Sequence, residues 1–270
     1  MGRTGVETGN ILFQMPFSLT SHHAHDYKYL VQRWRAFARS AGLRMKGFAK
    51  ENGHTIYLIS SPEKRNDDRE TIYISAGVHG DEPAPPWGLL AWAEANVALL
   101  KSHRFLILPV LNPHGLIRNT RADHRGLDLN RTFDHEDDPL IAAWRNILAG
   151  RKLSIGLCLH EDYDALGCYI YELTHQPGSV SRSILSDCES TMPVDLRSRI
   201  DGRTAKDGVI MRRVPPKLAG YPEAIVLHWM GAPVTLTFES PSEFALLDRV
   251  AVHKAFIQSA LKHVLGLSSP

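Results

Sequence analysis

The chain has 270 residues, of which 43% are hydrophobic and 22% are charged. This composition can supply a sizeable buried core, and it excludes an intrinsically disordered chain. The formal net charge is only +2 and the basic residues are scattered along the sequence. We therefore expect neither a nucleic-acid partner nor binding to an anionic membrane surface.

The cysteines and the N-terminal sequence indicate a cellular compartment. Cys158, Cys168 and Cys188 are an odd number without CxxC spacing, which predicts buried free thiols and a reducing environment. The N-terminal sequence MGRTGVETGNILFQMP contains no apolar run of signal-peptide length. No later stretch approaches the roughly 20 apolar residues that a membrane span needs. We therefore expect a cytoplasmic protein.

The first third of the chain predicts one helix, two strands and a second helix. Apolar residues recur at helical spacing between Asp26, a candidate N-cap, and Gly42, a candidate end. Two strands are predicted at 54–60 and 71–78, and the polar segment SPEKRNDDRE between them predicts a hairpin turn. The segment 85–100 is rich in Ala, Leu and Trp, which predicts a helix whose tryptophans belong to the core.

The rest of the chain alternates between apolar strands and helices. Strands are predicted at 104–111, 153–160, 168–173 and 234–240, and helices near 138–149, near 179–191 and from 242 to about 265. Nearly continuous hydrophobicity is typical of strands that are covered on both faces. We therefore predict an α/β fold with three α/β/α layers and a mixed, mostly parallel central sheet. Because no repeat or linker interrupts the pattern, residues 1–270 are predicted to form a single domain.

Polar side chains follow three of the predicted strands at the point where each strand ends. His79 and Glu82 follow one strand, His160 ends another and Glu239 ends a third. Ligands of open α/β sheets bind beyond the carboxyl ends of strands. Two histidines and one carboxylate are a common ligand set for catalytic zinc, so His79, Glu82 and His160 are candidate ligands. Taken alone, an HxxE pair also arises by chance, and a single histidine at a strand end is more often an ordinary surface or hydrogen-bonded residue.

Several short motifs occur in a fixed order: HGDE, NPHG, NTR, DLNR and TFES, with a strand-ending histidine between the last two. In this order they resemble the zinc carboxypeptidases of the M14 superfamily. The similarity is greater to the murein-peptide amidase and succinylglutamate desuccinylase/aspartoacylase-like branches than to the digestive carboxypeptidases. The motifs run from about residue 71 to 249, whereas the first seventy residues and the segment 178–220 carry none of them.

The resemblance implies a zinc carboxypeptidase-like catalytic domain with one Zn²⁺ per chain, bound by His79, Glu82 and His160. Glu239 matches the carboxylate that activates the metal-bound water. Asp128 matches an acid that accepts a hydrogen bond from the first zinc histidine, which fixes the orientation of that ring.

Three further residues match family positions on the substrate side of the site. Arg121 matches the arginine that stabilises the oxyanion, and Asn130 and Arg131 match the pair that binds the free carboxylate of the substrate. Considered without the resemblance, Asp128 and Asn130 could equally be turn or cap residues, and the two arginines could form surface salt bridges.

The family also uses a tyrosine on a mobile loop between the last zinc histidine and the catalytic glutamate. No motif identifies its counterpart here, because Tyr163, Tyr169, Tyr171 and Tyr221 all lie in that interval. Tyr221, in the segment AGYPEA, is the preferred candidate for substrate binding. The alternative is an ordinary packed tyrosine.

The resemblance implies a zinc-dependent hydrolase that cleaves an amide bond next to a free carboxylate, as a metallocarboxypeptidase or a peptide amidase acting on a small peptide. The alternative enzyme is an N-acyl-amino-acid deacylase of the succinylglutamate desuccinylase/aspartoacylase type. A third hypothesis is a non-catalytic metal-binding or peptide-binding module. Glu239 speaks against it, since a binding protein has no need of a base facing the metal. The sequence predicts neither the oligomeric state nor the preferred side chain.

Overall fold

The structure is a computed structural model that describes residues 23–62, 67–175, 177–214 and 218–267. Its helices are α1 (Tyr27–Ala41), α2 (Ala84–Ala95), α3 (Val97–Ser102), α4 (Pro113–Arg118), α5 (Pro139–Leu148), α6 (Ser181–Cys188), α7 (Glu223–Trp229) and α8 (Leu246–Leu265). Its strands are β1 (Arg44–Glu51), β2 (His54–Ser60), β3 (Thr71–Ala76), β4 (Arg104–Leu108), β5 (Leu153–Asp162), β6 (Tyr169–Thr174), β7 (Arg199–Ile200), β8 (Arg203–Thr204), β9 (Val209–Met211) and β10 (Val234–Pro241). The single domain over residues 1–270 stays a prediction.

Eight strands form one mixed sheet in the order β1-β2-β4-β3-β5-β10-β6-β9. The pairs β4–β3, β3–β5, β5–β10 and β6–β9 are parallel. The pairs β1–β2, β2–β4 and β10–β6 are antiparallel. The predicted mixed, mostly parallel sheet is therefore confirmed.

Two hydrophobic clusters lie on opposite faces of this sheet, because successive strand residues point to alternate sides. Ile72 and Ile74 of β3 belong to the cluster that includes α1, α2 and α8. Tyr73, between them, belongs to the cluster that includes α5 and α7. The tryptophans predicted to be core residues, Trp87 and Trp92, are fully buried, and so is Trp144. The three-layer prediction is confirmed.

The predicted hairpin between 54–60 and 71–78 is wrong. In the sheet, β4 lies between β2 and β3, and β2 pairs instead with β1. β1 was not predicted, because its sequence, RMKGFAKE, is largely polar and its residues are exposed or half-buried. Asn52 and Gly53 form the two-residue connection, with φ of 44° and 82°. An Asn-Gly pair with positive φ at both positions is the favoured two-residue hairpin loop, so this dipeptide was the local signal for the hairpin.

Other predicted elements are confirmed with adjusted ends. The Asp26 side chain accepts a hydrogen bond from the Tyr29 backbone N–H at 2.8 Å and caps α1 as expected. The helix predicted over 85–100 is divided at Asn96 into α2 and α3. The last helix begins at Leu246, four residues later than predicted. The predicted free thiols, Cys158, Cys168 and Cys188, are free and buried. None of the helices in the described ranges combines the length and apolar character that crossing a membrane requires.

Gly80 lies where the segment after β3 meets α4. A Cβ atom added at Gly80 would lie 1.8 Å from the backbone carbonyl carbon of Gly115, and the Gly80 N–H donates to the Thr120 carbonyl at 3.1 Å. This close approach requires glycine, because backbone atoms cannot yield as a flexible side chain can. The glycines of HGDE and NPHG therefore meet at one contact.

We expect Gly80→Ala to lower the thermal unfolding temperature strongly and to weaken metal binding by its neighbours His79 and Glu82. The matched control is Gly150→Ala, where φ is +71° and no atom lies within 4 Å of the added Cβ. The control should cost only about 1–2 kcal/mol, which is the penalty for a left-handed L-residue. Equal destabilisation by the two substitutions would contradict the role of the close contact.

Candidate active site

The sheet places the predicted site residues at one edge, beyond the carboxyl ends of parallel strands. β5 and β10 pair in parallel with His160 opposite Glu239. His79 follows β3 by three residues, and Glu82 lies just before α2. All four side chains are buried, with residue exposures of 2% for His79 and Glu82, 3% for His160 and 9% for Glu239. The polar residues that the sequence places at three strand ends therefore form one cluster in space.

The Glu82 carboxylate lies between two imidazoles. His79 Nδ1 is 2.6 Å from Glu82 Oε1, and His160 Nδ1 is 3.0 Å from Glu82 Oε2. The donor atoms of the three residues lie within 4.8 Å of one another. Two imidazole nitrogens and one carboxylate that converge in a buried position fit a divalent metal ion with an open coordination position. The residues present therefore suit the metal that the sequence implied.

Asp128 connects this cluster to the rest of the site. Its Oδ1 accepts hydrogen bonds from His79 Nε2 at 3.0 Å and from the Asn130 backbone N–H at 2.9 Å. Its Oδ2 accepts from Arg121 Nε at 3.1 Å and Nη2 at 3.0 Å. Since the Nε2–H of His79 points to a carboxylate, Nδ1 is left as the ligand atom. Asp128 also caps the short 3-10 turn Leu129–Arg131. One side chain therefore both caps this turn and accepts the hydrogen bond from His79.

Neighbouring charges favour the ionised form of two carboxylates of the site, Glu82 and Asp128. Burial raises the pKa of Glu82, but the neighbouring His79 and His160 outweigh it and lower the pKa well below its usual value. Burial also opposes ionisation of Asp128, where the hydrogen bond and charge of His79 and the charge of Arg121 lower the pKa. Burial acts against protonation of His79, and Glu82 and Asp128 together raise its pKa. The protonation states of Glu82, Asp128 and His79 therefore depend on one another.

Glu239 behaves differently from the other carboxylates. Burial raises its pKa well above the usual value; His160 opposes this shift, whereas Glu82 and Asp162 add to it. Within the part of the chain that the structure describes, its carboxylate forms no hydrogen bond, although it lines the cleft. A carboxyl group with raised proton affinity and no partner is suited to proton transfer.

Arg121 stands between the ligand cluster and the open cleft. Its Nη1 is 3.2 Å from His79 Nδ1 and 3.6 Å from Glu82 Oε1. Its side chain is 46% exposed. Considered without the resemblance, Arg121 was a candidate for a salt bridge, and it forms one with Asp128. This salt bridge orients the guanidinium and keeps it within the site.

A cleft of about 170 Å³ opens over these residues. Asn130 and Arg131 line it together with the metal-ligand candidates, Arg121 and Glu239. Asn130 Oδ1 accepts the Glu223 backbone N–H at 3.0 Å, which leaves the amide NH₂ group as the remaining donor. Arg131 Nη1 donates to the Asn130 carbonyl at 2.9 Å. The structure thus brings the two predicted carboxylate-binding residues to the same cleft as the candidate metal ligands.

Tyr221 does not line the cleft. Its hydroxyl accepts the Leu218 backbone N–H at 3.3 Å, and its ring lies 4.5 Å from that of Trp229. Two other tyrosines from the predicted interval, Tyr169 and Tyr171, do line the cleft. The substrate-binding role of Tyr221 stays a prediction.

Several cleft residues were not predicted from the sequence. Arg203 and Arg212 line the cleft and come from the segment 178–220, which carries no family motif. Glu223 does not line the cleft but contacts it through Asn130: its backbone N–H donates to Asn130, and its buried carboxylate accepts hydrogen bonds from Tyr73 and Ser75. A single acid opening the apolar run EAIVLHW was a signal for a buried Glu223. No family motif marks either arginine, although Arg212 begins a basic, proline-containing segment.

We expect Asp128→Asn to weaken Zn²⁺ affinity by about 10–100-fold, the usual effect of removing a carboxylate that orients a metal-bound histidine. Asp137→Asn, at an exposed acid outside the cleft, is the matched control and should bind Zn²⁺ like the wild type. The measurement is competition against a chelator of known affinity. Equal Zn²⁺ affinity in Asp128→Asn and the control would mean that Asp128 does not support a metal ligand.

The sequence is similar to known proteins over part of its length. Residues 68–151 match the family model described as succinylglutamate desuccinylase/aspartoacylase catalytic domain. Cytosolic carboxypeptidase 1 of Danio rerio is 26% identical over 170 residues, which are 50% of this chain and 15% of that protein. The chain therefore spans a small part of that relative.

Solved structures show the same fold. A Shewanella amazonensis protein described as a metallopeptidase superposes with a TM-score of 0.79 at 23% identity, covering 89% of this chain and 94% of that one. Carboxypeptidase A from Helicoverpa armigera superposes with a TM-score of 0.67 at 14% identity, covering 90% of this chain and 74% of that one. The chain thus has the fold of these metallopeptidase and carboxypeptidase structures, and residues 68–151 are similar in sequence to the succinylglutamate desuccinylase/aspartoacylase catalytic domain.

Proposed function

We propose that this protein is a zinc-dependent hydrolase that cleaves an amide bond next to a free carboxylate, as a metallocarboxypeptidase or a peptide amidase. The observation that supports this proposal is the convergence of His79, Glu82 and His160 in one buried cluster that opens on the same cleft as Glu239. A ligand set with a base beside it is the arrangement that metal-assisted hydrolysis requires.

Glu239 is the proposed general base. Bound Zn²⁺ would supply a Lewis acid and a water of lowered pKa. Glu239 would accept the proton of the attacking water and return it to the leaving nitrogen. Its carboxylate is available for this transfer because no described group holds it by a hydrogen bond and it lines the cleft beside the candidate metal ligands.

Arg121 is the proposed donor to the carbonyl oxygen of the scissile amide. Asp128 occupies Nε and Nη2 of the guanidinium, so Nη1 is the group directed at the ligand cluster. Negative charge that develops on the carbonyl oxygen would be met by a donor already in position. One such donor is typically worth about 3–4 kcal/mol of transition-state stabilisation.

Asn130 and Arg131 are proposed to bind the free carboxylate of the substrate. An arginine can grip a carboxylate through two parallel hydrogen bonds, and the remaining amide donors of Asn130 lie beside it. A carboxylate anchor close to the metal cluster favours cleavage of the last amide bond of a small peptide over cleavage within a long chain.

The second candidate function is N-acyl-amino-acid deacylation. The match of residues 68–151 to the succinylglutamate desuccinylase/aspartoacylase family model favours it. The same residues would serve both reactions, since each substrate has an amide next to a free carboxylate.

We also propose that the protein acts in the cytoplasm and has no nucleic-acid partner. Free buried thiols at Cys158, Cys168 and Cys188 suit a reducing compartment. The formal charge of +2 offers no strong field for nucleic acid. The relative from Danio rerio is named as cytosolic.

We expect Glu239→Gln to keep its Zn²⁺ and to lose turnover by several orders of magnitude, because an amide cannot accept the proton. The test is product mass spectrometry on a mixture of peptides with free C-termini, their amides, muropeptide fragments and N-acyl amino acids. Glu243→Gln, at an exposed glutamate near the same strand end, is the control. Near-wild-type products from Glu239→Gln would exclude Glu239 as the base.

We expect Arg131→Ala to raise KM by about 10–100-fold for a peptide with a free C-terminus, the usual worth of a hydrogen bond to a charged group. The C-terminal amide of the same peptide is the internal control, and its KM should change little. If the two substrates lose affinity equally, Arg131 does not bind the terminal carboxylate.

A further inference from the structure

Glu223 is a buried acid that is held by hydroxyl groups. The residue is 1% exposed. One carboxylate oxygen accepts a hydrogen bond from the Tyr73 hydroxyl, and the other accepts one from the Ser75 hydroxyl at 2.7 Å. The Tyr73 hydroxyl in turn accepts a hydrogen bond from the indole N–H of Trp144 at 2.8 Å. Burying a carboxylate is costly unless hydrogen bonds hold it, so these donors fix the side chain in one place.

The two hydroxyl donors belong to the strand that leads to the candidate metal ligands. Tyr73 and Ser75 lie two residues apart on β3, so their side chains point to the same face of the sheet. β3 lies between β4 and β5, and all its residues are buried. His79 follows the end of this strand. The carboxylate of Glu223 is therefore attached to a central strand of the sheet.

The backbone of Glu223 makes a contact toward the cleft. α7 begins at this residue, and Pro222, which precedes it, has no side-chain acceptor that could cap the helix. The Glu223 N–H donates instead to Asn130 Oδ1 at 3.0 Å. The first N–H groups of a helix have no partner within the helix. Asn130, which lines the cleft, thus supplies the acceptor that a capping side chain usually provides.

This hydrogen bond decides which end of the Asn130 amide is left for a ligand. A side-chain amide carries one acceptor oxygen and one NH₂ donor group. Because the oxygen faces the Glu223 N–H, the NH₂ group remains. The reverse orientation would place two donors against each other. Asn130 therefore offers donors, which suit a carboxylate.

The residues before α7 follow the turn that carries Asn130. The Phe133 N–H donates to the Tyr221 carbonyl at 3.3 Å. A Cβ atom added at Gly220 would lie 2.0 Å from the carbonyl oxygen of Arg131. Only glycine allows so close an approach of two backbone segments. A shift at the start of α7 would therefore be transmitted to this turn.

We propose that Glu223 is a positioning residue for the anion-binding side of the cleft. Its carboxylate, held by Tyr73 and Ser75, fixes the start of α7. The N–H at that start then holds Asn130 with its NH₂ group as the donor for a ligand. Glu223 itself does not touch the substrate. The inference rests on the proposed function for the statement that Asn130 binds a carboxylate.

The first test is spectroscopic and does not depend on turnover. NMR on isotope-labelled protein follows the side-chain NH₂ signals of Asn130, which are assigned by their loss in Asn130→Asp, and the hydrogen exchange of the backbone N–H at position 223. We expect Glu223→Ala to shift the NH₂ signals and to speed this exchange about 5–10-fold, the usual effect of losing one hydrogen bond. Tyr73→Phe removes only a hydroxyl, and it should act in the same direction if Glu223→Ala does not fold.

The matched control is Glu172→Ala. Glu172 is equally buried and accepts a hydrogen bond from a serine hydroxyl, but it does not line the cleft or contact Asn130. The control should leave the Asn130 signals and the exchange at position 223 as in the wild type. Unchanged signals and exchange in Glu223→Ala and Tyr73→Phe overturn the inference, and so does an equal change in the control.

The second test separates this inference from the proposed function. It compares KM and kcat for a peptide with a free C-terminus and for its C-terminal amide. We expect Glu223→Ala to raise KM about 5–10-fold for the free acid only, with kcat and Zn²⁺ content nearly unchanged. Glu223→Gln, which keeps one acceptor oxygen, should restore part of the KM.

The outcomes of the second test differ for the two proposals. Turnover in which Glu223→Ala changes KM equally for acid and amide overturns the positioning role and leaves the hydrolase standing. Altered Asn130 signals in Glu223→Ala, together with a wild type that turns over no substrate, support the positioning role and remove the proposed hydrolase.

Discussion

The hydrogen bonds of the Asp128 carboxylate are the constraint on which the rest of the site depends. One oxygen holds the ring of His79 and the backbone of Asn130, and the other holds Arg121 through two bonds. A single charged group thereby fixes His79, which is a candidate metal ligand, the guanidinium of Arg121 and the turn that carries Asn130 and Arg131. Because hydrogen bonds to charged groups are stronger than neutral ones, this arrangement is preorganised before any ligand enters.

Burial of carboxylates around the cleft is costly, and the fold offsets that cost at every position but one. Glu161 binds Arg249 of α8 and the Ala84 N–H at the start of α2. Glu223 binds Tyr73 and Ser75, and Glu82 lies between two imidazoles. Glu239 alone of these acids has no hydrogen-bond partner among the described residues. An unpaired buried acid destabilises the fold, which is acceptable where that acid transfers protons.

The residues that line the cleft come from two different parts of the chain. The candidate metal ligands and Glu239 lie at or just after the ends of β3, β5 and β10, whose residues are almost all buried. Arg203 and Arg212 also line the cleft, and they come from β8 and from the residue after β9, which is the edge strand of the main sheet. A fold of this kind can keep one reaction and change its substrate by changing that edge, since function depends on the site and not on the fold as a whole.

The sequence by itself determined the three-layer architecture, the buried free cysteines and the candidates His79, Glu82, His160, Glu239 and Asp128. These follow from local information, because apolar runs mark the central strands and short motifs mark the polar residues at their ends. The order of the strands was decided only by the tertiary structure: the pairing of β2 with β1, in place of the expected hairpin with β3, depends on contacts between distant segments. Arg203 and Arg212 reach the cleft for the same reason, because the pairing of β6 with β9 brings their segment there. Local patterns record which residues are buried, whereas the partner of each strand is chosen by packing over the whole sheet.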